Sequence, residues 1–254
     1  MAIKPSSIKN RLVPSQVYEG DARELAPLLP NRSIAVTLRS PPYWAMKDYG
    51  IPGQIGREQG YQEYLNDLVM IFQHVHRATR DTGSLWVVLD TFKVQGRLKL
   101  LPFEFSNLLE QQTGWTLQDI IIWDKGKTLP WSRIGQLRNQ FEYLLCFSKS
   151  RKFKYEIDRL KEIELKEWWV KYPERYNPKG KVPSNIWDVP IPVQGSWNTN
   201  GLRHACPFPL TLVERVLLLT TDATRDHVVL DPFCCAPLKI WTGMIGQEGR
   251  WKLR

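Results

Sequence analysis

Long apolar runs, paired cysteines and clustered histidines are all missing from this chain, and each absence closes off a line of chemistry. No stretch of its 254 residues approaches the ~18 consecutive apolar positions of a membrane-crossing helix. Residues 1–16 lack the apolar core of a secretory signal. A cytoplasmic location and no membrane partner are therefore expected. The four cysteines, at 146, 206, 234 and 235, form no Cys-x-x-Cys pair, so neither a zinc site nor a disulfide framework is expected. His74, His76, His204 and His227 are too scattered for a metal site and read as structural or surface residues. Acidic side chains are outnumbered, 26 against 35 basic ones, giving a formal charge of +9. That balance favours a polyanionic partner bound through phosphate contacts.

What is present reads as one catalytic domain. Apolar residues make up 43% and charged residues 24%, enough for one good core. Short β-branched runs alternate with amphipathic stretches. Strands are expected at 16–19, 34–38, 84–89, 115–123, 142–148 and 228–230, and helices at 22–29, 61–80, 102–112 and 210–221. Asp81-Thr82-Gly83 reads as the turn into the third strand. The alternation implies a doubly wound α/β sheet. Residues 47–60, with four glycines and Pro52, read as a mobile loop rather than a packed element. Residues 149–181 hold 11 Lys or Arg against 6 Asp or Glu, interleaved with Trp168, Trp169, Tyr172 and Tyr176. That pattern suits a nucleic-acid surface; a solvated amphipathic helix near 161–171 is the competing reading.

The tetrad Ser40-Pro41-Pro42-Tyr43 directly follows the apolar run at 34–38. Two prolines cannot continue a central strand, so the tetrad stands at a strand's carboxyl end, where open α/β sheets bind ligands. Its rigid carbonyls, a hydroxyl and an aromatic face could grip a planar base carrying an amino group. An ordinary Pro-Pro turn with a packed tyrosine is the alternative. Trp44 either widens the stacking face or packs in the core, and Asp90, after the third strand, is a further polar candidate.

Separate blocks strengthen the first reading: Gly20-Asp21, the tetrad with Trp44, Gly53-Gln54-Ile55-Gly56, Gly83-Ser84-Leu85-Trp86, Ile122-Trp123-Asp124-Lys125, Glu142-Tyr143, Asn185-Ile186-Trp187-Asp188, Phe208-Pro209, and Asp231-Pro232-Phe233. In this order they resemble the DNA amino-methyltransferases that modify cytosine N4 or adenine N6, in the permuted order with the tetrad before the cofactor motif. The resemblance implies a Rossmann-like S-adenosylmethionine-dependent methyltransferase fold with a mostly parallel sheet. It divides the chain into a catalytic half at 1–149, a target-recognition insert at 150–200 and a cofactor half at 201–254. It assigns Ser40, Pro41, Pro42 and Tyr43 to catalysis, and Asp21, Phe208, Asp231, Pro232 and Phe233 to S-adenosylmethionine. Its partners would be double-stranded DNA, a cognate restriction endonuclease and a second copy of the chain. The serine form of the tetrad looks most like the cytosine-N4 branch, with adenine N6 as the alternative. RNA or protein methylation is a more distant reading. Cys206 lacks the Pro-Cys setting of the enzymes that attack cytosine C6.

The pattern departs after Phe233. A Gly-x-Gly turn, a helix and a strand ending in an acidic residue are expected, but the chain reads Cys234-Cys235-Ala236-Pro237. Side chains there would crowd a cofactor, and Pro237 removes an amide. Glu248 is the only acidic residue left, and no apolar strand is expected to follow it. A truncated, inactive remnant that still binds DNA is accordingly the rival to an active enzyme.

Overall fold

The computed structural model describes residues 12–13, 17–46, 48, 50–126, 137–161, 167–191, 209–222, 227–233, 238–245 and 251–253, with backbone alone for 167–168 and from 238 onward. The chain begins with β1 (Val17–Tyr18), α1 (Ala22–Leu25), β2 (Ile34–Arg39), α2 (Tyr61–Ala78) and β3 (Thr79–Leu89). A hairpin of β4 (Phe92–Val94) and β5 (Arg97–Lys99) leads to α3 (Leu101–Gln112), β6 (Thr116–Asp124) and β7 (Phe141–Ser148). Next are α4 (Glu167–Lys171), β8 (Ile186–Asp188), α5 (Leu210–Thr220), β9 (His227–Asp231), β10 (Leu238–Ile245) and β11 (Trp251–Leu253).

The main sheet runs β1-β10-β9-β2-β3-β7-β6-β8, with β11 added to β10. Among the described residues, only β7 and β10 run against the other strands. β2 and β3 are central and covered on both faces, which is why their sequences are near-continuous apolar runs. Leu85, Val87, Leu89, Leu145 and Phe147 face the side covered by α2 and α3. Trp86, Val88, Leu144 and Cys146 face the other side, against Leu212, Val216 and Leu219 of α5. The sheet is thus doubly wound, as the alternation implied. In α2, Tyr64, Leu65, Leu68, Ile71, Phe72 and Val75 recur at helical spacing and are all buried.

The structure departs from the sequence reading at four places. Asp81-Thr82-Gly83 is not a turn before the strand: β3 begins at Thr79, and the extra residues are absorbed as an irregularity between its pairs Ile34↔Thr79 and Val36↔Ser84. The β4–β5 hairpin was not expected; Gln95 and Gly96 both have positive φ, 49° and 78°, the backbone of a two-residue primed turn. Residues 150–200 are not wholly apart from the sheet, because β8 pairs in parallel with β6 and buries Trp187. Finally, the tail holds strands where none was expected: residues 238–245 form β10, which pairs antiparallel with both β9 and β1, and past Glu248 β11 pairs antiparallel with β10. Residue 204 and three cysteines lie outside the described residues; Cys146 is buried, which pushes its thiol pKa up.

This packing can be tested at two positions. A Cβ on Gly83 would meet Thr79 Cγ2 at 2.5 Å and the Ala35 carbonyl at 2.7 Å. Gly83→Ala should therefore cost about 1–3 kcal/mol, read as a lower urea midpoint at unchanged slope. His76 packs edge-on against Trp115, and burial lowers its pKa, as it does that of His227. For such groups the unfolded chain takes up protons first on acidification, so their contribution is present above roughly pH 6.5 and is lost as pH falls below it. Melting temperatures measured from pH 7.5 to 5 should decline, and more shallowly in His76→Gln than in the parent.

Candidate active site

The carboxyl ends of the forward-running strands and the start of reversed β7 share one edge of the sheet, and the tetrad sits on it directly after β2. Pro41 is buried while Ser40 and Tyr43 are half-buried. The hydroxyl of Tyr64, from α2, donates to the Pro42 carbonyl at 2.8 Å. One proline carbonyl is thus occupied by the scaffold. The other, on Pro41, lies 3.4 Å from Ser40 Oγ, so the two oxygens are close enough to contact a single nitrogen.

Tyr43 is held at its far end. Its hydroxyl donates to Glu142 Oε2 at 2.9 Å, and Glu142 Oε1 accepts from Lys125 Nζ at 3.2 Å. Lys125 also donates to Asn139 Oδ1 at 2.7 Å, and the Asn139 amide in turn donates to Asp90. These residues come from four segments, and antiparallel β7 explains the meeting: its first residues lie where the forward strands end, with Trp123 opposite Glu142 and Leu89 opposite Tyr143. Burial, and then the Glu142 charge, hold the Tyr43 pKa well above the ordinary phenol value, so it remains a neutral donor. Asp90 is 8% exposed, and burial raises its carboxyl pKa. Glu142, Lys125 and Asn139 carried no individual role in the sequence reading. The signal that could have found them is a polar residue opening a strand that runs against its neighbours.

On the other side of β2, β9 pairs in parallel through Val36↔Val229 and Thr37↔Leu230. Asp231 therefore arrives beside the tetrad and pairs with Arg39 at 3.3 Å, while its Oδ1 accepts from the Phe233 amide at 3.0 Å. Pro232 is buried, and Phe233 packs edge-on against Phe72. Asp21 caps α1 by accepting from the Arg23 amide at 2.8 Å. Its carboxylate is also clamped by the Arg23 guanidinium, which reaches on to Asp67 and to the Gly53 carbonyl. Phe208 lies outside the described residues.

Residues 50–60 are tied down more firmly than a free loop. Ile55 is buried, the Ala45 amide donates to the Gly56 carbonyl, and Gln59 bonds both the Gly56 amide and Asp67. Gly56 has φ +80°, and a Cβ there would press on the Tyr64 ring at 3.0 Å. Trp44 belongs to this packing: its indole donates to the Gln59 carbonyl at 2.9 Å and its ring meets Tyr61 edge-on. A separate recess of about 280 Å³, lined by Lys181, Ser184, Asp188 and Arg215, lies at the β8 edge. That is four strand positions from β2, roughly 19 Å at the usual spacing.

The two acceptors after β2 and the Asp231 carboxylate closing the adjacent parallel strand β9 stand at the carboxyl edge of an open sheet, where such sheets bind ligands. The chain belongs to the DNA methylase family, whose N6/N4 methyltransferase model matches residues 34–236. It is 30% identical over 271 residues to the Type II methyltransferase M.SmaI of Serratia marcescens, covering 95% of this chain and 85% of that one. To the Type II methyltransferase M.Cfr9I of Citrobacter freundii it is 28% identical over 247 residues, 85% and 75% of the two chains. The cytosine-N4-specific PvuII DNA methyltransferase shares the fold, with TM-score 0.64 at 20% identity over 87% of this chain and 74% of that one. A Thermus thermophilus protein assigned as a DNA modification methylase, solved with S-adenosyl-L-methionine, superposes with TM-score 0.52 at 26% identity, covering 85% and 78%.

The protein is accordingly an S-adenosylmethionine-dependent DNA methyltransferase. Asp231 and Asp21 suit a ligand bearing ammonium, hydroxyl and amino donors, although each already has an arginine partner. Residues 234–237, where the glycine turn is replaced, lie outside the described residues. Among the described residues no helix is long and apolar enough to cross a membrane.

The scaffold's grip on the tetrad can be tested through Tyr64. Tyr64→Phe removes the donor to the Pro42 carbonyl and should cost about 1 kcal/mol in denaturant unfolding. It should also lower kcat more than KM, because the loosened tetrad misplaces its acceptors.

Proposed function

We propose that this chain methylates the exocyclic amino group of a base flipped out of double-stranded DNA, and that the base is cytosine, modified at N4. The observation that carries the reading is the pair of acceptors, Ser40 Oγ and the Pro41 carbonyl, 3.4 Å apart beside the Tyr43 ring. Cytosine is preferred over adenine because the tetrad is in its serine form and because the PvuII enzyme, which shares the fold, is cytosine-N4-specific.

An exocyclic amino nitrogen is a poor nucleophile while its lone pair is delocalised into the ring. Ser40 and Pro41 accept its two hydrogens from closely spaced positions, favouring pyramidal nitrogen and freeing the lone pair for attack. S-adenosylmethionine supplies, when bound, a methyl carbon on a positively charged sulfur. Tyr43 stacks on the base and fixes its plane, and Asp231 and Asp21 hold the cofactor on the far side of β2. The chain contributes positioning and fixed dipoles. The base is admitted at a cost of a few kcal/mol of unstacking.

Basic residues supply the DNA surface in this reading. Lys171 and Arg175 lie over the Tyr172 ring at 5.6 and 5.1 Å, and the hairpin bearing Lys93, Arg97 and Lys99 reaches the tetrad's flank, with Lys99 Nζ 4.4 Å from the Tyr61 ring centre. A restriction endonuclease reading the same site, and a second copy of the chain, are the protein partners to seek. The rival reading, a DNA-binding remnant, is favoured by the reversed direction of β10 at the cofactor edge.

Mass spectrometry of nucleosides from DNA of cells expressing the chain should show N4-methylcytosine, and Ser40→Ala should reduce it by about a hundredfold or more. N6-methyladenine instead would reassign the base. No methylated nucleoside, together with no heat on titrating S-adenosylmethionine, would establish the remnant.

A further inference from the structure

The hydrogen bonds behind the tetrad have a direction. Glu142 has both carboxylate oxygens engaged by donors, Oε1 by Lys125 and Oε2 by the Tyr43 hydroxyl. Tyr43 has one hydrogen and spends it on Glu142, so towards Ser40, which is within hydrogen-bonding reach, the Tyr43 oxygen can act only as an acceptor. Ser40 likewise has one hydrogen, and its two neighbouring acceptors, the Tyr43 oxygen and the Pro41 carbonyl, both belong to the protein. Its lone pairs are what remain for a ligand. The opposite end of the chain is anchored as well: Lys125 donates to Asn139, Asn139 to Asp90, and Asp90 accepts from the Thr91 amide at 2.7 Å.

We propose that Glu142, fixed by Lys125, is a positioning and specificity-determining residue: through the Tyr43 hydroxyl it orients the Ser40 hydroxyl so that the pocket accepts hydrogens and thereby selects a base carrying an amino group over one carrying a carbonyl at the same position. The inference rests on the reading of the tetrad as the base pocket. It concerns cytosine against uracil, or adenine against hypoxanthine. A site built to pair one kind of polar group rejects its counterpart strongly, because the mismatched groups are left unpaired on burial.

Glu142→Gln separates this role from packing. Next to Lys125 the amide must present its carbonyl to the ammonium, which turns its NH₂ towards Tyr43 and reverses the chain. Tyr43 then donates to Ser40, filling a lone pair the ligand would use, and the Ser40 hydrogen is left to the Pro41 carbonyl, 3.4 Å away, or to the ligand, so both acceptors of the pocket are weakened.

The experiment uses the full chain and duplexes carrying, at the modified position mapped from cellular DNA, either the amino base or its carbonyl counterpart. Affinities for both are measured by competition for the parent, Glu142→Gln, Tyr43→Phe and the double variant. Differences in how readily the two duplexes open cancel between variants. The parent should prefer the amino base, and Glu142→Gln should reduce that preference about tenfold or more, with a matching loss of kcat and unchanged affinity for S-adenosylmethionine. Tyr43→Phe, which removes the hydroxyl but keeps the ring, should erode the preference too, and would carry the test if Glu142→Gln failed to fold. Adding Glu142→Gln to Tyr43→Phe should change the preference less than about twofold, because the connecting hydroxyl is gone. An unaltered preference in Glu142→Gln, or an equal loss in both backgrounds, would overturn the inference. A parent that ranks the bases as expected but yields no methylated nucleoside would uphold the inference and overturn the catalytic reading. A parent that methylates DNA but binds both bases alike would do the reverse.

Discussion

The short parallel pairing of β2 with β9 is the contact on which the site depends. It spans only Val36↔Val229 and Thr37↔Leu230, yet it sets the ends of two segments 192 residues apart in sequence onto one edge. Arg39 and Asp231, the last residues of the two strands, then meet as an ion pair with both side chains largely buried. An ion pair in that setting is a poor source of net stability, since desolvation offsets most of its attraction. Its role is better understood as register: a one-residue slip would turn every side chain of β9 to the other face and part Asp231 from Arg39.

The second constraint is the reversed strand between β3 and β6. Forward strands deliver their last residues to the ligand edge, whereas β7 delivers its first. Phe141 and Glu142 are therefore placed beside Asp90 and Lys125 by topology rather than by sequence proximity. Tyr43 crosses the end of β3 to reach Glu142, so its ring is fixed at both ends, by the diproline backbone and by the carboxylate. In the proposed reading, a stacking platform held in this way would lose little conformational freedom when a base arrives.

Much of this was legible in the sequence. The apolar run of β2 stops at two prolines, and the 3.6-residue periodicity of α2 matches the buried face residue by residue, so the tetrad's place at a strand end followed from elementary rules. The unread parts share one cause: they depend on partners distant in sequence. The hairpin turn uses Gln95-Gly96 where Asn-Gly is the familiar signal. Glu142 has meaning only once the direction of β7 is known. Trp44 looked as suited to stacking on a ligand as to packing, and only the Gln59 carbonyl and Tyr61 ring decide that it packs. The glycines at 50–60 suggested freedom, but Gly56 is there because its backbone turns left-handed tightly against Tyr64.

The direction of β10 bears on how the cofactor edge can work. Returning a strand in parallel takes a crossover of about ten residues or more, and only six separate Asp231 from Leu238. A strand that follows so soon must run antiparallel, as β10 does. It fills the gap between β9 and β1 and completes the hydrogen bonding there, but with its polarity inverted: its first residues, opposite Asp231 and Tyr18, lie at the ligand edge and its last residues at the other. An acidic residue at the end of such a strand could not reach a ribose bound beside Asp231. Among the described residues, the carboxylates proposed to hold the cofactor at that edge, Asp231 and Asp21, are both clamped by arginines. On that proposal, cofactor binding is a competition for carboxylates that the fold has already paired, and methyl transfer would depend on how readily Arg23 and Arg39 yield or share their partners.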